Sequence, residues 1–320
     1  TLKNYNFKNL PRDIFSGIII AAVSIPISMG YAQISGIPAI YGLYGSVFPI
    51  LFFALFSTSK QFIFGVDAAP AAIVGSALST LGIAVESPDA MKYVPMIALF
   101  AGLWLLLFYF LHADRIVDFI STPVMGGFIS GISLTIIFMQ IPKLMGSSAG
   151  SGEILELLIH IFHAVRTISW LSLGMGIGAL LLIRIFKKIF PKFPMAIVIM
   201  ILGVLATRLF HVDEHGVVLL QAVEPGLPSL VLPQFGGIQL THVVGRGLMV
   251  AVVIMAETLL AENNFAFKNG YKLNDRQEIL ACAAGNIAAS AVGCCPVNGS
   301  ISRTSMNEQY LSLIHISEPT

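Results

Sequence analysis

Charge is what this chain has least of. Only 11% of its 320 residues are Asp, Glu, Lys or Arg, against about 25% in ordinary soluble domains. So few ionised groups cannot cover the surface of a water-soluble fold of this length. The net charge of +1 also leaves no basic field, which argues against a nucleic-acid or polybasic partner. Cysteine is scarce as well. Cys282, Cys294 and Cys295 lie in apolar sequence without CxxC spacing, so they read as small packing residues, with no metal and no disulfide. No cofactor motif stands out. Hydrophobic residues, by contrast, make up 56% of the chain, and mean hydropathy is +0.85. The partner implied is a lipid bilayer.

Apolar stretches of about 20 residues cross a hydrocarbon core of roughly 30 Å. Such stretches fall at about 14–35, 42–57, 68–83, 93–111, 117–141, 168–187, 193–210, 243–263 and 277–292, and a tenth begins near Gly299. The opening TLKNYNFKNLPRD is polar and more spans follow the first, so that first run is a membrane helix and not a cleaved signal. EILELLIHIFHAV, at 153–165, has apolar residues at helical spacing and reads as an interfacial helix. PGLPSLVLP, at 225–233, reads as an external loop. With the N-terminus cytoplasmic, twelve of the eighteen basic residues fall inside, from Lys3, Lys8 and Arg12 to Lys268, Lys272 and Arg276. That bias orients the bundle.

Two of the spans are interrupted at their starts. QFIFGVDAAP leads into the small-residue run AAIVGSAL, and VGCCPVNGS leads into ISRTS. Each reads as a short extended piece, a Gly/Pro break and the first turn of a helix at membrane depth. Backbone leaves regular helix inside a bilayer only where protein or a wet cavity satisfies its polar groups. Paired broken helices in corresponding halves of a chain point to the substrate site of a secondary transporter.

By this placement three formal charges lie deep in spans: Asp67, Glu257 and Arg303. Each costs about 2.5–3.5 kcal/mol at the bilayer centre on insertion scales, so each needs a partner or a task. A helix N-terminus offers unpaired N–H groups to an anion, and a guanidinium forks onto an oxyanion. Two such ends with Arg303, Ser300 and Ser302 make a cradle for a small oxyanion. Glu257 or Asp67, by taking a proton or a sodium ion, would couple cation to anion. Plainer readings stand beside these. Asp67, Ser300 and Ser302 serve equally as helix caps, Arg303 and Glu257 as a structural ion pair, Tyr31 and Phe64 as core aromatics. GFISG, at 127–131, reads most simply as a helix-packing surface. HVDEH, at 211–215, has the H-x-x-E-H spacing of a zinc-protease class. It sits in a short external loop with no clear third ligand, so neither a metal nor an enzyme is expected.

The run SIPISMGYAQISGIPAIYGLYGSVFPILFFALFSTSKQFIFGVDAA resembles the opening signature of the SulP (sulfate permease) family, and GFISG, PGLPSLVLP, AETLLA and NGSISRTS follow in the family's order. Val66 departs from it, standing where the family often has proline. The resemblance implies an all-α polytopic membrane fold of fourteen spans in two inverted repeats of seven, broken at the third and tenth. It places the anion site at Ile27 and Tyr31 on the first span, Asp67 and Ala68 at the third, and Ser302 and Arg303 at the tenth. Glu257 matches an acid implicated in proton or sodium coupling.

Residues 1–310 are thus expected to be the N-terminal part of a transport domain, about nine spans and the start of a tenth. The ending LSLIHISEPT is unlike the family, and 311–320 are expected to be a non-native tail, with the remaining spans and a STAS domain absent. The expected activity is secondary transport of a small inorganic anion, sulfate favoured, across the cytoplasmic membrane with a proton or sodium ion. Bicarbonate or another anion, a passive anion conductor, and a nucleobase–cation symporter of the same architecture stay open, as does a homodimer of the full-length protein.

Overall fold

The computed structural model describes residues 10–117, 122–147, 154–189, 195–219, 226–231, 236 and 239–315. Helix α1 (Leu10–Ile34) has 25 residues, about 37 Å at 1.5 Å per residue, enough to cross the bilayer. The second expected span is not one helix but two, α2 (Ala39–Gly45) and α3 (Phe48–Phe56). At the break the Ser46 hydroxyl donates to the Gly42 carbonyl at 3.0 Å and accepts from the Ser28 hydroxyl of α1 at 2.6 Å, and Pro49 opens α3. Gly42 lets α2 lie against α1, because a Cβ there would overlap the Ser28 carbonyl oxygen.

The first interrupted segment forms strand β1 (Phe64–Gly65) and then α4 (Ala68–Thr80). Its 13 residues span only about 20 Å, half a crossing. Helix α5 (Ala90–Phe110), short α6 (Asp114–Val117) and α7 (Thr122–Leu144) follow. The 153–165 segment is helical as expected, as α8 (Ile154–Arg166). It meets α9 (Trp170–Ile189) at a bend of 115°. Helices α10 (Met195–Phe210), α11 (Leu240–Lys268) and α12 (Asp275–Ala291) lead to the second interruption, where strand β2 (Asn298–Gly299) precedes α13 (Ile301–His315). The expected loop at 225–233 lies partly outside the described residues; within it, the Val231 amide bonds to the Ala291 carbonyl at 2.8 Å.

The core lies where α5 packs on α11 and α12, with α3 and the two strands against them. A smaller apolar cluster (Ile34, Ala71, Met139, Leu157) joins α1, α4, α7 and α8. Helices α9 and α10 expose Leu180, Leu181, Ile201 and Leu209. In water these would be a liability; against lipid they are solvated. Among the described residues four stretches are long and apolar enough to cross a membrane (α1, α2 with α3, α5 and α11), or five if the bent α8–α9 pair counts as one span. At the two glycines of the GFISG run, Gly127 and Gly131, a Cβ would meet nothing among the described residues within 4 Å.

Candidate anion site

Strands β1 and β2 pair antiparallel, Phe64 opposite Gly299 and Gly65 opposite Asn298. Each strand runs at once into a helix, and because the pairing is antiparallel α4 and α13 leave from its opposite ends. Backbone this irregular at membrane depth needs protein partners, and α13 supplies them. The Ser300 amide donates to the Ile63 carbonyl at 2.8 Å, the Thr304 hydroxyl accepts from the Ile63 amide at 3.0 Å, and Asn307 Nδ2 donates to the Gln61 carbonyl at 3.0 Å. On the other strand, Asn286 of α12 holds both polar groups of Val297: its Oδ1 accepts from the amide at 2.9 Å and its Nδ2 donates to the carbonyl at 3.0 Å.

Arg303 sits in this crossing with 0% exposure. Its Nη2 donates to the Val66 carbonyl at 2.7 Å, while its Nε and Nη1 have no hydrogen-bond partner. Gly65 makes room for it, since a Cβ on that residue would lie 3.1 Å from Nη1. A buried cation with two idle donors is costly unless an acceptor meets them. Asp67 occupies the N-cap position of α4, yet its side chain makes no capping bond. It accepts instead from the Ser300 hydroxyl at 3.3 Å, and that hydroxyl lies 3.4 Å from Ser302 Oγ. Tyr31, half-buried on α1, is within electrostatic range of Asp67, Arg303 and Glu257. Ile27 lies one turn before Tyr31 on the same helix face, also half-buried, and Ala68 opens α4.

Glu257 does not pair with Arg303; among the described residues no ion pair joins them. Its Oε2 accepts from Asn298 Nδ2 at 2.6 Å, and Asn298 Oδ1 accepts from the Thr258 hydroxyl at 2.6 Å. The acid is thus tied to β2, on the other side of the crossing from the guanidinium's bond to Val66. A cavity of about 800 Å³ is lined by α1 (Ser16, Ser24), α3 (Phe53), Lys60, Phe64 and Asn307. Phe64 itself stacks on Phe53, ring centroids 4.2 Å apart, as a core aromatic.

Asp67, Ser300, Ser302, Arg303, Tyr31 and Glu257 are therefore brought together. Asn298, Thr258, Asn286 and Gly65 support them without having been singled out in the sequence. The first two lie within NGSISRTS and AETLLA and were within reach; Asn286 sits in ordinary helical sequence and was not. Two further carboxyls near the ends of spans, Glu262 and Glu278, are also 0% exposed. The loop at 211–215 holds exposed His211 and His215 in a turn, and among the described residues no group of three metal-ligating side chains forms.

The family model for the sulfate permease family matches residues 10–310. The chain belongs to the sulfate permease family. Among characterised relatives it is 29% identical to sulfate transporter 2.2 of Arabidopsis thaliana, covering 95% of this chain and 47% of that protein. It is 32% identical to low affinity sulfate transporter 3 of Stylosanthes hamata, covering 96% and 51%. This member of the sulfate permease family thus spans about half the length of these relatives. Its fold is that of the transmembrane domain of a cyanobacterial bicarbonate transporter, BicA, with a TM-score of 0.82 at 22% identity, covering 96% of this chain and 78% of that one. Murine Slc26a9, an anion transporter solved in the inward-facing state, gives 0.83 at 18% identity over 98% and 55%. A mostly helical, multi-pass membrane fold follows, and the members of this permease family are transporters, not enzymes.

Proposed function

We propose that residues 10–310 are the N-terminal part of a secondary transporter that carries a small inorganic anion, with sulfate favoured, across the cytoplasmic membrane. The observation behind this reading is Arg303, a sealed guanidinium with two free donors at the meeting point of two helix N-termini. An oxyanion would take those donors and the hydroxyls of Ser300 and Ser302, lying beside Ala68 and bounded by Tyr31 and Ile27. A neutral nucleobase has no negative charge to offset Arg303, which disfavours the nucleobase reading. The sulfate-transporting relatives favour sulfate over bicarbonate.

Glu257 and Asp67 are the proposed cation-coupling acids. Both stand near the anion and would repel it while ionised, so a proton or sodium ion on either favours loading. The Lys/Arg bias puts the N-terminus in the cytoplasm, and the cavity beside Lys60 and Asn307 then forms the inner approach.

Sulfate at a hundred times its Kd should stabilise the purified chain by about 2.7 kcal/mol, and Arg303→Gln should abolish that gain. Stabilisation by uracil and not by any inorganic anion would overturn the assignment. In proteoliposomes of the full-length protein, Glu257→Gln should abolish accumulation driven by a cation gradient. Unchanged accumulation would remove Glu257 from coupling and leave the anion site standing.

A further inference from the structure

Helices α11 and α12 bury a second pair of acids away from the crossing strands. Glu262 lies five residues beyond Glu257 on α11, and Glu278 lies in the first turn of α12. Both are 0% exposed. Their carboxyls come within hydrogen-bonding reach of each other. Two carboxylates so placed cannot both stay ionised.

The donors around them distinguish the two. Glu278 Oε1 accepts from the Thr58 amide at 2.6 Å and from the Thr58 hydroxyl as well. Glu278 Oε2 and both oxygens of Glu262 have no hydrogen-bond partner. An oxygen that collects two donors is acting as an acceptor only, so any proton between the acids lies elsewhere. A buried carboxyl with no donor at either oxygen is the member that gains most by carrying a proton.

We propose that Glu262 is a buried proton-binding site, a neutral carboxylic acid whose O–H donates to Glu278 Oε2. One proton then satisfies the unpartnered oxygen of Glu278 and gives Glu262 its only bond. A metal cation is the weaker occupant, because the third oxygen at hand, Thr58 Oγ1, points its proton at Glu278 and accepts from the Asn274 amide.

Among the described residues the charged surroundings supply no counter-cation, and Lys268 in the last turn of α11 pairs with Glu308. Asp275 and Cys282 on α12 are the other titratable groups within electrostatic range of the pair. Arg276 turns away to the Tyr109 ring and carbonyl on α5, and Lys60 lies over the Tyr271 ring. The lysine of α5, Lys92, pairs with Asp89 at that helix's opposite end. Helix α6 brings Asp114 and exposed Arg115, α3 and α4 carry no charge along their lengths, and Lys272 stands in the turn before α12. The site also connects to the anion cradle. Cys282 is within range of both acids and within hydrogen-bonding reach of Thr258, which bonds the Asn298 that holds Glu257. The proton site does not require Glu257 to act in coupling.

Infrared difference spectroscopy of the chain in lipid nanodiscs at neutral pH tests it. The expected result is a protonated-carboxyl C=O band that shifts in D2O, is lost in Glu262→Gln and persists in Glu257→Gln. Persistence of the whole band in Glu262→Gln, or its absence from wild type, would overturn the proposal. Should Glu262→Gln not fold, Thr58→Val removes one donor from Glu278 and should shift the same band; an unshifted band would again overturn it. A melting temperature that rises with sodium or potassium in wild type but not in Glu262→Gln would put a metal cation there and equally refute the proton.

Discussion

Gly65 is the residue on which the guanidinium's position turns. A methyl group there would sit 3.1 Å from Arg303 Nη1 and 3.6 Å from Nη2. Arg303 has no free direction in which to retreat, because its Nη2 is held by Val66 and the side chain is sealed on all sides. Gly65→Ala should therefore cost about 1–3 kcal/mol of overpacking and move the cation from its carbonyl. Sulfate affinity, measured by calorimetry, should fall about tenfold or more, tenfold corresponding to about 1.4 kcal/mol. Gly203→Ala is the matching control. Nothing lies within 4 Å of a Cβ there, so affinity should not change. Equal affinities in all three proteins would mean that Arg303 does not meet the anion.

At the scale of elements, the crossing of β1 and β2 depends on side chains from helices distant in sequence. Asn286→Ala would leave the amide and carbonyl of Val297 buried and unpartnered, at about 1–3 kcal/mol for each group. A fall in melting temperature, with loss of sulfate stabilisation in whatever remains folded, is the expected outcome; a melting temperature equal to wild type would show that the strand holds itself. Much of this element was legible beforehand. Gly and Pro in FGVDAAP and CCPVNGS mark breaks that an apolar span does not otherwise tolerate, and Asp67 and Arg303 are too costly in lipid to be incidental. What was not legible depends on contacts across long sequence separations. Asn286 reaches 11 residues along the chain, and nothing in GNIAAS distinguishes it from a helix-face amide. Glu262 and Glu278 read as charges at the ends of spans, where water usually takes them; only the packing of Thr58 against α12 shows that they are enclosed. The break at Ser46 was missed for a similar reason, since its stabilising bond is to Ser28 on a neighbouring helix.

For the whole molecule, orientation decides on which side of the membrane each loop lies. On the orientation proposed above, the turn between α11 and α12 is cytoplasmic and the loop after α10 is outside. The structure makes this readable by cysteine labelling, because the three native cysteines are at most 1% exposed and should stay silent towards an impermeant maleimide. His215 lies in an exposed turn and Phe267 is 89% exposed at the end of α11, so a cysteine at either should react on whichever side it faces. In sealed right-side-out vesicles, His215→Cys should label from outside and Phe267→Cys only after the membrane is opened. The reverse pattern would invert the bundle. The cavity beside Lys60 would then be an outer approach, and a cation gradient directed inward would reach Glu257 and Asp67 from the same side as that cavity. Labelling of both positions from outside would be a different result, incompatible with α11 crossing the membrane as a single 29-residue helix.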